Sequence, residues 1–332
     1  MKKIILVNIS VIITIIIISE IFVRSLNLVT LQGADKGSVF SENNIVLNTP
    51  KSIFTVGGKK VKTDTEGFRI PLKKKQFKKK SKSTFIMGDS VTFGFGVHEK
   101  DSFVGIMRDN VKTNLINSSV IGHNLESYIY LLNKHVKKSE KQFDKVVIFL
   151  CLNDIHLDQG VVSKEDFNNQ SAQVKESTFI KFLKNDIFIK INFFLREKSA
   201  LFVLLKSVAT DTVKRHYEYM EWRYDDQNLL LKYSNYIEEI KTFSESNNLK
   251  IDFVLLPYAY QIEKNCGNQY LKPQKEIRKI FIKNSLNLHD FTDDFCNNNK
   301  NRNFFLGFDP VHLSNAGHLF VSRLLIENKI IN

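Results

Sequence analysis

The sequence contains little of what marks fibrous, disordered or disulfide-stapled proteins. Its 332 residues include only 3 Cys, 5 Pro and 14 Gly. So few glycines and prolines exclude a collagen-like chain, and a hydrophobic content of 43% argues against a disordered one. Three cysteines are too few to stabilise a chain of this length by disulfides alone. We therefore expect a packed globular protein with one large domain or two.

Acidic residues are outnumbered by basic ones. Lys and Arg total 48 against 35 Asp and Glu, a net charge of +13, which would suit nucleic acid, anionic lipid or an acidic glycan. The lysines are scattered, however, which favours an ordinary solvated surface, and we predict no nucleic-acid partner. The densest basic run, from Lys73 to Lys80, is interpreted as a solvated linker or loop, with contact to a membrane surface or a polyanion as the alternative.

The first 25 residues predict a transmembrane helix. Residues 4–19 carry no charge, and with Ile21, Phe22 and Val23 the apolar stretch reaches about 20 residues, enough to cross the hydrocarbon core of a bilayer. Lysines before the stretch favour a cytoplasmic N-terminus, with the rest extracytoplasmic, either periplasmic or extracellular. No Ala-x-Ala site follows, so residues 1–25 are interpreted as an uncleaved signal anchor, with a cleaved signal peptide as the alternative.

Export would expose the cysteines to an oxidising compartment. Cys266 and Cys296 lie in polar segments and could pair, whereas Cys151 lies in an apolar strand-like run and is expected in the core. No metal-binding spacing occurs among the three cysteines, and we expect no metal and no cofactor.

After a polar, basic juxtamembrane segment at 26–82, residues 83–332 predict a single α/β domain. Short apolar runs alternate there with longer amphipathic ones, as in a doubly wound parallel sheet. Five candidate strands fit such a doubly wound sheet. The predicted strands are Thr84–Met87, Leu115–Val120, Val146–Leu152, Ile251–Leu256 and Leu286–Phe291.

Two helical features complete the predicted domain. Residues 157–227 form an aromatic-rich helical insertion whose role could be a substrate lid, a membrane-facing surface or simple packing on the core. Ser314 is expected to cap a final helix.

Polar residues follow two of these strands at the sheet edge where open α/β proteins bind their ligands. The first strand ends in Gly88-Asp89-Ser90, and a serine there would lie beside backbone amides that can stabilise negative charge. The third strand ends near Asn153, whose carboxamide offers two N–H donors to an oxyanion. Ser90 is therefore a candidate nucleophile, although a serine that merely caps a helix would look the same.

A third polar pair lies close to the end of the chain. A serine nucleophile needs a base, normally an imidazole, whose tautomer is fixed by a carboxylate. Asp309-Pro-Val-His312 places a carboxylate and an imidazole three residues apart across a turn. None of the other seven histidines has a comparable partner, and neither His123 nor His156 is our choice of base.

Taken together, these motifs resemble the SGNH hydrolases, also called the GDSL esterase and lipase family. Gly88-Asp89-Ser90 resembles the family's first block, Gly122 the second, Asn153-Asp154 the third and Asp309-x-x-His312 the last. The resemblance spans about residues 83–325. One departure is Cys151, which stands where the third block usually has glycine and could narrow the pocket or shift Asn153.

The resemblance implies a three-layer, flavodoxin-like α/β/α fold with a five-stranded parallel sheet, and it implies a role for each matched residue. Ser90 would be the nucleophile, His312 the base and Asp309 its orienting acid. The oxyanion donors would be the backbone N–H groups of Ser90 and Gly122 and the side chain of Asn153.

The same resemblance implies a carboxylic ester hydrolase acting through an acyl-enzyme. With the anchor, it suggests acyl esters of carbohydrate as substrate, O-acetyl esters above all. The alternatives are an O-acyltransferase of envelope polysaccharide, a lipid esterase, and a glycan-binding or assembly protein without turnover. Protein partners cannot be inferred.

Overall fold

The computed structural model describes residues 2–73, 82–137, 143–156, 186–298 and 303–332. The strands are β1 (Val39–Glu42), β2 (Ile45–Asn48), β3 (Ile53–Val56), β4 (Lys59–Thr63), β5 (Arg69–Ile70), β6 (Lys82–Met87), β7 (Thr113–Asn117), β8 (Lys145–Leu150), β9 (Lys250–Leu255) and β10 (Leu288–Asp290). The helices before the insertion are α1 (Lys2–Ser25), α2 (Ser90–Phe93), α3 (Phe103–Met107) and α4 (Leu125–Leu131). Those that follow are α5 (Asp186–Lys198), α6 (Ala200–Thr210), α7 (Thr212–Arg223), α8 (Gln227–Ser246), α9 (Ala259–Glu263), α10 (Lys272–Lys283), α11 (Thr292–Asn297) and α12 (Asn315–Glu327).

The centre of the molecule is a parallel sheet in the order β10-β9-β8-β6-β7. All five predicted parallel strands are present, and β8 is the central one. Its residues 146–150 are fully buried because helices cover both faces of the sheet. Helices α4 and α10 both pack against α8, and α12 packs against α3. Because crossovers between parallel strands are right-handed as a rule, we assign the first group to one face of the sheet and the second to the other. The α/β class is confirmed.

The five parallel strands are those predicted, but the sheet is larger than predicted, since within the described residues it has eight strands. Strands β3, β4 and β5 extend it beyond β7 in antiparallel pairing. These strands are only two to five residues long, and buried positions alternate in them with more exposed ones, so they lack the uninterrupted apolar runs by which the parallel strands could be recognised. In β4, only Val61 and Thr63 are buried.

The segment after α1 is folded onto the domain. The side-chain amide of Asn48 donates hydrogen bonds to the carbonyls of Gly67 and Ser119, both at 3.1 Å. The first bond joins the β1–β2 hairpin to the turn between β4 and β5, and the second joins it to the loop after β7. Most of the basic run after Lys73 lies outside the described residues.

The helical insertion is described only from residue 186 onward. Tyr217 and Tyr224 are buried in the main core, whereas Phe193 and Phe194 are exposed, so its aromatics do not all pack on the core. Its first part, residues 157–185, lies outside the described residues.

The remaining local predictions agree with the structure. Cys266 and Cys296 form a disulfide, and Cys151 is a buried free thiol. Ser314 caps α12 by accepting a hydrogen bond from the backbone N–H of Gly317 at 3.2 Å. Helix α1 is long and apolar enough to cross a membrane.

Candidate active site

The strand-to-helix turn after β6 presents Ser90. Asp89 caps α2 by accepting a hydrogen bond from the N–H of Val91 at 2.9 Å, which makes Ser90 the first helical residue. Gly88 is required by close packing, since a Cβ atom there would lie 2.2 Å from Oγ1 of Thr92. The turn thus fixes the Ser90 hydroxyl at the carboxyl end of the sheet.

The structure brings Ser90, His312 and Asp309 together, although the first two are 222 residues apart. The Oγ atom of Ser90 lies 2.9 Å from Nε2 of His312, and Nδ1 of His312 lies 2.8 Å from Oδ2 of Asp309. The other carboxylate oxygen accepts the backbone N–H groups of Val311 and His312, at 2.9 and 2.8 Å. Asp309 is therefore held by three hydrogen bonds and orients the imidazole.

The electrostatics of the pair favour a base opposite the serine. Burial disfavours the imidazolium of His312, but the charge and hydrogen bond of Asp309 outweigh this and raise its pKa. Burial likewise opposes ionisation of Asp309, but His312 and the two backbone N–H groups reverse the effect and lower the pKa of that carboxyl. The arrangement is an ionised carboxylate beside an imidazole of increased basicity, which can take a proton from a hydroxyl.

The side chain of Asn153, at the end of β8, is also oriented toward the turn that carries Ser90. The Nδ2 atom of Asn153 donates to Oδ2 of Asp89 at 3.0 Å, and its Oδ1 accepts from the Tyr258 hydroxyl at 2.9 Å. These bonds fix which end of the amide faces the serine turn, and they leave the second N–H of Nδ2 for an oxyanion. Cys151 leaves these bonds in place: its thiol is buried and lies against Asp89, the same carboxylate that holds Asn153.

Gly122 lies in the loop after β7, next to the serine turn. It adopts a positive φ of 82°, a conformation that glycine adopts without strain. The N–H of Val120 donates to the carbonyl of Gly88 at 3.3 Å and ties the two loops together. All five residues predicted for the site therefore lie at the same edge of the sheet, on the segments that follow β6, β7 and β8 and on the segment before α12.

Sequence reasoning missed three residues that support this site. The ring of Phe95 stacks on His312 with centroids 4.2 Å apart. Tyr258 orients Asn153 from 105 residues away, and nothing in the local sequence signals such a contact. The fully buried guanidinium of Arg69 donates to the carbonyls of Phe93, Gly94 and Val97, which follow Ser90 in the chain. A lone Arg among lysines offers no signal of that role.

The other histidines that approach the site differ from His312. His123 is buried and bonds to the carbonyl of Val46, and burial lowers its pKa to about 4. His216 stacks on Tyr258 with centroids 5.5 Å apart, and burial, offset in part by Asp309, lowers its pKa to about 4. Both rings are therefore neutral at neutral pH. Within the described ranges, no group of three or more His, Cys, Asp or Glu side chains could hold a metal ion.

No protein-family model matches the chain. No curated protein matches it either. The chain is nevertheless similar to several solved structures. A lipolytic protein of the G-D-S-L family from Veillonella parvula is 16% identical, with the match covering 74% of this chain and 97% of that one at a TM-score of 0.40.

Two further structures are similar at the same level. An acetylxylan esterase from Geobacillus stearothermophilus is 14% identical, with 76% of this chain and 96% of that one covered and a TM-score of 0.40. A lipase/acylhydrolase from Enterococcus faecalis is 14% identical, with 75% and 97% covered and a TM-score of 0.38. The solved structures to which this chain is similar thus include G-D-S-L lipolytic proteins and esterases.

Proposed function

We propose that the protein is a serine ester hydrolase of the SGNH type. The observation that carries this proposal is the continuous hydrogen-bonded chain from the Ser90 hydroxyl through His312 to Asp309. Serine is a weak nucleophile unless an adjacent base takes its proton, and this chain supplies such a base.

In the first half of the reaction, Nε2 of His312 takes the Ser90 proton while Oγ attacks the ester carbonyl carbon. The carbonyl oxygen becomes an oxyanion, held by the N–H groups of Ser90 and Gly122 and by the side chain of Asn153. The tetrahedral intermediate collapses when the imidazolium gives its proton to the leaving alcohol, and an acyl-enzyme on Ser90 remains.

In the second half, water enters the space left by the alcohol. His312 takes a proton from this water, whose oxygen attacks the acyl carbon, and Ser90 recovers its proton as the acid leaves. A sugar hydroxyl in the place of water would give transfer of the acyl group instead of hydrolysis. These residues need no metal or organic cofactor for any of these steps.

We further propose that α1 anchors the enzyme in a membrane with the catalytic domain outside the cytoplasm. The length and apolar composition of α1 support the anchor. The disulfide between Cys266 and Cys296 supports export, because disulfides persist in oxidising compartments and are rare in the cytosol. An enzyme in that position would meet acyl esters of envelope or exported carbohydrate, which we propose as its substrates.

Hydrolysis of p-nitrophenyl acetate by the purified full chain tests the proposal. The Ser90→Ala variant should lose activity by about 10⁴-fold or more, because the proposed mechanism depends on the Ser90 hydroxyl as nucleophile. Ser234→Ala, which alters a buried serine of α8, is the control and should keep its activity. Full activity in Ser90→Ala would refute the assignment.

The substrate and the reaction type are tested with a panel of acetylated glycans. Release of acetate identifies a hydrolase, and transfer of acetate to a second glycan identifies an acyltransferase. Activity confined to long-chain esters would instead point to lipid esters. Failure of a fluorophosphonate probe to label Ser90 would indicate a binding protein without turnover.

A further inference from the structure

The end of α1 is docked on the catalytic domain rather than joined to it by a linker. The carboxylate of Glu20 accepts hydrogen bonds from the hydroxyl of Ser199 and from the backbone N–H groups of Ala200 and Leu201, at 2.8 to 2.9 Å. Glu20 thereby caps the N-terminus of α6. Arg24 reinforces the junction through the carbonyl of Lys198. The last turns of α1 and the start of α6 therefore form one packed unit.

The catalytic loops lie directly beside this junction. The N–H of Leu28 still bonds to the carbonyl of Val23 in the last turn of α1, at 3.3 Å. The carbonyl oxygen of Leu28 approaches Gly307 so closely that a Cβ atom there would lie 2.1 Å away. Asp309 follows only two residues later, within about 7 Å along even a fully extended chain. The orienting carboxylate is thus held within a short distance of the end of α1.

A second contact ties the same segment to the loop that carries Phe95. A Cβ atom on Gly96 would lie 2.9 Å from the side chain of Thr30 and 2.6 Å from that of Leu306. The N–H of Gln32 also donates to the carbonyl of Arg196 at the end of α5, at 3.0 Å. Residues 28–32 therefore connect α1, α5 and the loops around His312.

Helices α5 and α6 pack on each other beside α1 and expose a set of large apolar side chains. We call this set the α5–α6 face. It consists of Ile191, Phe193, Phe194, Leu205 and Val208, with exposed fractions of 47 to 64%. Apolar side chains grouped on two packed helices are unusual on a surface that meets only water.

The charges around the α5–α6 face are mostly positive. Between residues 190 and 210 there are four basic side chains, Lys190, Arg196, Lys198 and Lys206, and one acidic side chain, Glu197. Burial and the neighbouring cations Arg196 and Arg215 lower the pKa of Lys206 to about 8. The repulsion from these two cations shows that the surroundings of Lys206 are positively charged. Apolar groups bordered by cations are the combination that binds the headgroup region of an anionic bilayer.

We propose that the α5–α6 face rests in the headgroup region of the lipid bilayer and holds the catalytic centre at the membrane surface. This extends the proposed esterase function and rests on it: the substrate is an acyl ester presented at the membrane, such as one on a lipid-linked carbohydrate. The bilayer is the occupant because the face is continuous with the docked end of the spanning helix. Because Glu20 near the end of α1 is bonded to the start of α6, the start of α6 lies at the depth where α1 leaves the membrane.

Depth-dependent quenching in the full-length protein tests the placement. Single cysteines introduced by Phe194→Cys or Leu205→Cys are labelled with an environment-sensitive fluorophore. The labelled protein is reconstituted in vesicles of phosphatidylethanolamine and phosphatidylglycerol. Both labels should be quenched by lipids that carry a spin label near the headgroup.

Ile282→Cys is the matched control for the quenching experiment. Ile282 is also a large exposed apolar side chain, at 77%, but it lies on α10, which packs against α8 and the edge strand β10. A label there should not be quenched. Labels at 194 and 205 that remain unquenched in protein whose α1 is inserted would overturn the proposal. Labels that are shielded from water but not reached by lipid quenchers would also overturn it, because a protein partner would then cover the face.

Charged substitutions test the consequence for the substrate. A Leu205→Glu/Val208→Glu variant should hydrolyse soluble p-nitrophenyl acetate at the wild-type rate. Its rate on an acyl ester embedded in vesicles should fall by about tenfold or more. Replacing two membrane-buried apolar side chains by carboxylates weakens binding of the α5–α6 face to the bilayer by at least the free energy that corresponds to about a tenfold change in affinity. Ile282→Glu should change neither rate.

Equal rates of the double variant and the wild type on both substrates would contradict the proposal. If the wild type hydrolyses neither ester, the proposed esterase function fails by itself. The quenching result does not depend on activity and still reports on the placement of the α5–α6 face.

Discussion

The imidazole of His312 is fixed on three sides. Asp309 bonds to Nδ1, the Ser90 hydroxyl lies at Nε2, and the ring of Phe95 covers one face. A ring held in this way loses little freedom when the reaction begins, and the carboxylate sets its tautomer. The pH dependence of the reaction should therefore report on Asp309.

Asp309→Asn should change both the rate and its pH profile. The neutral form of His312 is the base, so kcat/KM should rise with pH through the raised pKa of His312. Without the carboxylate, burial dominates and the midpoint should move to lower pH, while the plateau falls by about 10²–10⁴-fold. Hydrolysis of p-nitrophenyl acetate across the pH range measures both effects.

Asp225→Asn is the control for this experiment, because Asp225 is an exposed carboxylate paired with Lys272. Its profile should match that of the wild type. An unchanged midpoint in Asp309→Asn would contradict the role assigned to Asp309.

Tyr258→Phe should weaken transition-state stabilisation without removing the oxyanion donor. Loss of the hydroxyl frees Oδ1 of Asn153, so the amide is less well oriented, and kcat should fall by about tenfold, less than the 10²–10³-fold expected for Asn153→Ala. Because the contact acts on the oxyanion, KM should change little. Steady-state kinetics of the two variants decide this, and equal losses or an effect confined to KM would refute the positioning role.

At the scale of the element, the N-terminal strands support the nucleophile turn. Strand β5 carries Arg69, whose guanidinium is stacked on Phe93 and bonded to carbonyls of the segment that follows α2. Desolvation lowers the pKa of Arg69 to about 10, yet the group stays charged at neutral pH. The antiparallel extension of the sheet is therefore part of the support of the active site.

Arg69→Met should destabilise the protein by about 2–4 kcal/mol, because three carbonyl groups lose their buried donor. Thermal unfolding followed by circular dichroism in detergent measures the loss as a lower Tm. Lys60→Met, at an exposed position on β4, should leave the Tm within about 1 °C because exposed substitutions have small effects. Equal Tm values for wild type and Arg69→Met would show that the guanidinium supports nothing.

The predictability of these elements follows from their burial. The parallel strands could be predicted because burial on both faces requires uninterrupted apolar runs such as Val146–Leu150. The polar residues that close those strands could be predicted for the site because they share one sheet edge. Strands β3–β5 could not, since a half-exposed edge tolerates lysines, and contacts such as that of Tyr258 with Asn153 depend on packing between distant segments.

At the scale of the whole molecule, the proposed anchor α1 is packed onto the α/β domain. Glu20 lies near the end of the apolar helix, yet it is bonded to the start of α6. A signal peptide that is removed after export would not need such a junction. We therefore propose that α1 is retained after export, which is the first of the two alternatives that the sequence offered.

Protein purified from membranes should retain residues 1–25 and resist extraction with alkaline carbonate. Intact-mass spectrometry measures the first property and sedimentation the second. A Val23→Ala/Ser25→Ala variant, which creates the missing Ala-x-Ala pattern, is the comparison in which cleavage becomes feasible. A wild-type chain that begins near residue 26 would contradict the anchor.

The central claim is that Ser90 becomes covalently acylated with His312 as its base. The direct measurement is rapid acid quenching of the enzyme during turnover of p-nitrophenyl acetate, followed by peptide mass spectrometry. We predict an acetyl group on Ser90 in the wild type, and none in His312→Ala. Continued turnover with no acetyl group on Ser90, or with the group on another residue, would contradict the account.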